Sequence, residues 1–169
     1  LERASNQINR SLLKYWSQNK HLVNKFDVRS AKPDDPPGMQ EGTNIWGNVY
    51  DSIHQTSTAL GKRSRGFLWF FSFLAWFVHL KREEQPLIFL LDEPGLFLHA
   101  RAQEDLLRYI NEELGPHQVI YTTHSPFMID PGHFEKVLIV EDKSLSENQP
   151  NATTNSGTIV SWIGTNRTP

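Results

Sequence analysis

The sequence has no cysteine among its 169 residues. That absence excludes disulfides, cysteine-ligated zinc, iron–sulfur clusters and thiol catalysis together. It also fits a reducing, cytoplasmic setting. Neither sign of charge is in large excess: 17 Lys and Arg against 19 Asp and Glu leave a formal net charge of −2. A domain that holds nucleic acid by bulk charge is thereby excluded, and only a local basic patch can serve that role. No apolar run reaches the roughly 20 residues that a membrane span needs. The longest, residues 66–80, has 15 residues with Ser72 and His79 inside it. Arg63 and Arg65 precede it and four charged residues follow at 81–84. A helix buried on most of its surface is the reading that fits, with no membrane partner.

What is present supports a packed core. Hydrophobic residues make up 38% and charged residues 21%, which argues against wholesale disorder. At roughly 100–200 residues per domain, the length is one domain or a piece of a larger one. The first residue is Leu1, not Met, so a piece of a longer protein is expected.

Ile8, Leu12, Tyr15 and Trp16 share one helical face, which predicts a helix over about residues 2–19. Alternation through Leu22, Phe26 and Val28 predicts a strand over 21–30, and Ile45, Val49 and Tyr50 predict another over 43–52. The Pro- and Gly-rich stretch 32–42 is a loop, so the two strands are expected to pair antiparallel across it. Residues 53–61 are polar and read as irregular. In the aromatic run, Phe67, Phe70, Phe71, Phe73, Leu74 and Phe77 have two uses, stacking on bases or packing a core. A stacking platform interleaves aromatics with charges. This run has none inside it, so core packing is expected.

Beyond residue 86 strand and helix alternate. Leu87, Ile88, Phe89, Leu90 and Leu91 form a continuous apolar run, expected of a strand covered on both faces. Ala102, Leu106, Tyr109, Ile110 and Leu114 recur at helical spacing over 99–114, stopped by Gly115 and Pro116. Residues 119–121 and 137–140 read as strands, 144–157 as a mobile polar loop and 158–163 as an edge strand. This alternation predicts an α/β fold, a largely parallel sheet with flanking helices. Three segments follow: 1–62, a helix and a strand pair; 63–143, the chemistry-bearing core; 144–169, a polar loop and a last strand.

Three constellations carry chemistry. The apolar strand 87–91 runs into Asp92 and Glu93. A buried parallel strand delivers its last side chains to the carboxyl edge of the sheet, where ligands bind. There one carboxylate can hold Mg²⁺ through water, and the second can orient or deprotonate a water that attacks a γ-phosphate. Taken alone, the pair is equally a solvated strand end. The next strand ends in Thr122, Thr123, His124, Ser125 and Pro126. His124 can donate to a terminal phosphate oxygen, or simply cap the following turn. Upstream, Arg63, Ser64, Arg65 and Gly66 open the aromatic helix. A helix N-terminus offers unpaired N–H groups and a positive dipole end. The alternative there is a basic turn with an ordinary serine cap.

The order Ser-x-Gly before a helix, strand then Asp-Glu, strand then His resembles the ABC-type ATPase heads of the SMC, RecF and OLD (overcoming lysogenisation defect) group. Residues 63–67 with Trp69 and Phe70, and residues 123–127, look closest to OLD-like bacterial ATPases. The resemblance implies the C-terminal lobe of a P-loop NTPase, ABC ATPase-like, incomplete without an upstream lobe. Ser64, Arg65 and Gly66 then match the signature motif, whose usual Ser-Gly-Gly is altered at Arg65. Asp92 matches the Mg²⁺-holding aspartate, Glu93 the catalytic glutamate and His124 the switch histidine. His99 lies in the D-loop, where transporters usually have Asp. ATP and Mg²⁺ are the implied substrate and metal, and a second head, in a homodimer, is the implied partner. DNA is a further implied partner, because heads of this group govern DNA processing or a linked nuclease.

That family's phosphate loop, Gly-x4-Gly-Lys-Ser/Thr, is missing. Residues 61–64 come near it, but Thr56 stands where the first glycine belongs. The phosphate-gripping lobe is therefore expected upstream of Leu1 or on another chain. Ser64 and Gly66 are expected to complete the opposing protomer's site, and Asp92, Glu93 and His124 their own. The isolated chain is expected to be inactive. The alternative is a non-catalytic module that lends its signature face to a partner ATPase. Glu141 and Asp142 superficially resemble the start of a Toprim nuclease, but no Asp follows Asp142, so they read as a solvated strand end. His124, His133 and Glu135 match no zinc spacing.

Overall fold

The structure, a computed structural model, describes residues 2–80, 85–142 and 158–163. The chain forms two compact units, Leu1–Met128 and Ile129–Pro169.

The first unit begins with α1 (Glu2–Tyr15), whose Leu12 and Tyr15 are buried together with the following Trp16. The helix stops short of residue 19 because the backbone finds other partners. The Ser17 N–H donates 2.7 Å to the buried Asp105 carboxylate instead of to a carbonyl one turn back. β1 (Leu22–Ser30) and β2 (Thr43–Asp51) pair antiparallel over nine residues, from Leu22 opposite Asp51 to Ser30 opposite Thr43. Their long loop is pinned by Asp35, which accepts two bonds from the Arg29 guanidinium (2.6 and 2.9 Å) and one from Lys32 N–H (2.8 Å). The guanidinium holds the Asp35 carboxyl below the usual aspartate range.

Residues 53–61 are more regular than their polarity suggests. β3 (Thr56–Ala59) pairs antiparallel with β2, and a 3-10 turn, Leu60–Lys62, follows. The turn into β3 is set by Asp51, whose carboxylate accepts from Ile53 N–H (2.9 Å) and His54 N–H (3.2 Å). Backbone pairing carries this strand, not an apolar face.

α2 (Arg65–Leu80) is the centre of the unit. Phe67, Phe70, Phe71, Phe73, Leu74 and Phe77 are buried along it, as expected for core packing. Trp16 meets Phe67 edge-on at 5.3 Å between ring centroids, and Phe77 meets Phe89 at 4.8 Å. Tyr109 takes Tyr15 edge-on at 4.8 Å, and Phe73 and Phe77 at 6.0 Å each. Such pairs add about 0.5–1.5 kcal/mol each beyond the area they bury. Among the described residues no helix is long and apolar enough to cross a membrane.

β4 (Ile88–Leu91), α3 (Ala100–Glu113) and β5 (Gln118–Tyr121) follow, and β4 and β5 pair in parallel. The expectation of a strand covered on both faces fails here. Phe89 is buried against α2, but Ile88, Leu90 and Ile120 are 67%, 74% and 52% exposed. Side chains alternate across a strand, and only the α2 side of this two-stranded pair has a layer on it among the described residues. The sheets are mixed, with parallel pairing at β4–β5 and antiparallel pairing elsewhere.

The second unit pairs β6 (Leu138–Asp142) antiparallel with β7 (Thr158–Trp162), after a 3-10 turn at Phe134–Lys136. The edge strand expected over 158–163 is therefore present. The loop expected over 144–157 lies outside the described residues.

Candidate functional site

The last rung of the β4–β5 ladder pairs Leu91 with Tyr121, and Thr122 N–H donates to Leu91 C=O at 3.0 Å. In-register parallel strands thus deliver residues 92–93 and 122–124 to the same end of the sheet. Thr122 Oγ1 donates to Asp92 Oδ1 (2.6 Å) and accepts from Glu93 N–H (3.0 Å). The Glu93 carboxylate reaches across to His124, with Oε1 3.5 Å from Nε2 and Oε2 accepting from the backbone N–H at 3.4 Å. Asp92, Glu93 and His124, three expected site residues, are therefore together. The His124 side chain is 99% exposed and that of Glu93 25%, so the imidazole extends into solvent from a partly sheltered carboxylate.

The backbone at this corner is strained. Glu93 has φ +45°, a left-handed conformation that non-glycine residues rarely adopt. The turn is closed by Leu96 N–H to Glu93 C=O and Leu98 N–H to Gly95 C=O, both 3.0 Å. Strain of this kind clusters at functional sites, where it aims a side chain.

Ser64 and Gly66 lie at the start of α2, against the far end of this turn. Ser64 is the N-cap of α2: its Oγ accepts from Phe67 N–H at 3.2 Å and its C=O from Leu68 N–H at 3.0 Å. Arg63 lies over the Phe67 ring, 5.1 Å from its centroid, and Arg65 is exposed. A β-carbon on Gly66 would stand 2.6 Å from the Phe97 carbonyl oxygen. Its lack of a side chain thus lets the start of α2 seat against the turn before α3. His99 caps α3 through its backbone, and its Nε2 lies 2.8 Å from Gln18 Oε1. Gly66 and His99 flank the far end of the turn that begins at Glu93.

Two contributors escaped the sequence reading. Thr122 is the link between Asp92 and the Glu93 backbone, and only a Thr directly after a strand hinted at it. Gln103, buried on α3, donates from Nε2 to Gly95 C=O (2.9 Å) and accepts at Oε1 from Ser125 Oγ (2.6 Å). Nothing in the helical spacing distinguished it from a surface glutamine. Among the described residues no three His, Asp or Glu side chains form a group able to hold a metal by themselves.

The fold has solved counterparts. An SMC ATPase structure, described in terms of ATP-driven dimerisation and DNA-stimulated activation, superposes with a TM-score of 0.58 at 12% identity. It covers 95% of this chain and 86% of the other. The Smc head domain of Pyrococcus furiosus, bound to the C-terminal domain of ScpA, gives 0.52 at 15% identity over 75% of this chain and 29% of that one. The Pyrococcus yayanosii Smc head gives 0.52 at 14%, over 75% and 22%. These are likenesses of fold. In sequence, "Uncharacterized protein MJECL43" of Methanocaldococcus jannaschii is 28% identical over 82 residues. The match takes in 46% of this chain and spans only 21% of that relative. A family model described as "AAA domain, putative AbiEii toxin, Type IV TA system" matches residues 3–130, well over half of the chain. With its P-loop NTPase-like α/β fold, the chain belongs to this AAA ATPase-domain family.

Proposed function

We propose that the chain is the C-terminal lobe of an ATP-hydrolysing head, with Glu93 as its catalytic base. The observation that carries this is the meeting of Asp92, Glu93 and His124 at the carboxyl end of β4 and β5. Glu93 orients the attacking water and accepts its proton. His124, extended into solvent, donates to a terminal phosphate oxygen. Thr122 occupies only Oδ1 of the exposed Asp92 carboxylate, which leaves the second oxygen for the water shell of a cation. Mg²⁺, when bound there, neutralises charge on the phosphate oxygens.

Ser64, Arg65, Gly66 and His99 belong, on this reading, to a face presented to ATP held by a second copy. The exposure of Ser64, Arg65 and His99 supports action in trans. The one-sided β4–β5 pair supports a phosphate-gripping lobe that covers Ile88, Leu90 and Ile120. ATP-driven head engagement, as described for the SMC ATPase, would couple hydrolysis to DNA processing in an OLD- or RecF-like system.

In protein that carries the phosphate loop, Glu93→Gln is expected to abolish Mg²⁺-dependent phosphate release while ATP binding is kept or tightened. Release and nucleotide binding are measured on the same preparation. Undiminished release sinks the assignment of Glu93. A second reading, a non-catalytic module that lends the Ser64–Gly66 face to a partner ATPase, rests on the exposed start of α2, where Ser64 caps the helix beside the exposed Arg65. The same variant separates the two, because turnover that belongs to a partner survives Glu93→Gln.

A further inference from the structure

Glu93 and His124 sit on two different loops, and their mutual geometry needs those loops held together. The β4–β5 ladder ends at Leu91 and Tyr121, and the exposed Thr122 adds ties to Leu91 C=O, Asp92 and Glu93 N–H, before His124 is reached. Beyond the ladder, the described residues supply one buried side chain that bonds to both loops. Gln103 donates to the carbonyl of Gly95, two residues past Glu93, and accepts from the hydroxyl of Ser125, one residue past His124. The seat is close-fitting: a β-carbon on Gly95 would lie 3.2 Å from Gln103 Cγ and from Met128 Cγ. Gln103 also belongs to the first turn of α3, its N–H donating to His99 C=O at 3.0 Å. A primary amide suits this place because it gives and takes one hydrogen bond without carrying charge into a buried site.

We infer that Gln103 is a positioning residue: its amide sets the spacing of Glu93 and His124 and ties both to the turn at His99. The inference rests on the reading of Glu93 and His124 as a hydrolytic pair. The bridge itself is tested without nucleotide, so its failure is distinguishable from failure of that reading. Ser125 and Gly95 lie on separate loops, and the amide connects their polar groups.

The test is backbone amide NMR of the full chain. Ser125→Ala is expected to shift the Leu96 resonance, whose peptide group includes the Gly95 carbonyl. In a Gln103→Leu background the same Ser125→Ala change is expected to leave Leu96 unmoved. Gln103→Glu guards against misfolding: it keeps the shape and the Ser125 bond and loses the donor to Gly95. It is expected to shift Leu96 and to sever its response to Ser125→Ala. No Leu96 response in the wild-type background, or an equal response in all three, overturns the bridge. In ATPase-competent protein, Gln103→Leu and Gln103→Glu are expected to lower kcat by about ten- to a hundredfold at unchanged KM. Loss of KM and kcat together, in step with thermal stability, overturns the positioning role in favour of a purely structural one.

Discussion

Around α2 the packed side chains are large, apolar and interlocked, ring against ring. At the carboxyl end of β4 and β5 the side chains are small or polar, largely exposed and held by hydrogen bonds, on a backbone that includes a strained glutamate. The aromatic region gains stability from every group that fills it. The sheet end spends some of that stability to aim a carboxylate at an imidazole. The contrast predicts opposite responses to mutation.

The largest effect is expected in the aromatic region. Phe77 is fully buried between Phe73, Phe89 and Tyr109. Phe77→Ala should cost about 3–5 kcal/mol, since it removes the ring and leaves a cavity that interlocked neighbours cannot close. Urea unfolding measures this, and a loss below about 1 kcal/mol would show that the surroundings collapse. Gly66→Ala comes next, at about 1–3 kcal/mol, because the new methyl meets a backbone oxygen that no rotamer change can move. Its midpoint should fall with the m-value unchanged.

The smallest effect has the opposite sign. Glu93→Gly relieves a left-handed residue at the cost of a more flexible unfolded chain, for a net gain of up to about 1 kcal/mol. Thermal unfolding should show an equal or raised midpoint. A drop of several degrees would mean that the Glu93 carboxylate is a structural strut, and the contrast between the two regions would dissolve.

Much of this was legible in the sequence. The apolar run at 66–80, the helical spacing of Ala102, Leu106, Tyr109 and Ile110, and the placing of Asp92, Glu93 and His124 after strands all have local causes. β3 was hidden because Thr56, Ser57, Thr58 and Ala59 present no apolar alternation, and their pairing depends on a turn built by Asp51. Thr122 and Gln103 were hidden for a different reason. Their meaning lies in partners on other elements, 29 or 30 residues away for Thr122 and 8 and 22 for Gln103. The open face of β4–β5 was also illegible, since an apolar run records what a strand prefers to touch and not what lies beside it.

Gly66 answers to two masters. Its motif suggests a residue kept for what it meets across an interface, yet the Phe97 oxygen forbids a side chain there from within the same chain. In a randomised library sorted only for folded protein, blind to any chemistry, position 66 should stay glycine while positions 64 and 65 drift. Invariance at that position would therefore be poor evidence of catalysis, and variation at its neighbours poor evidence against it.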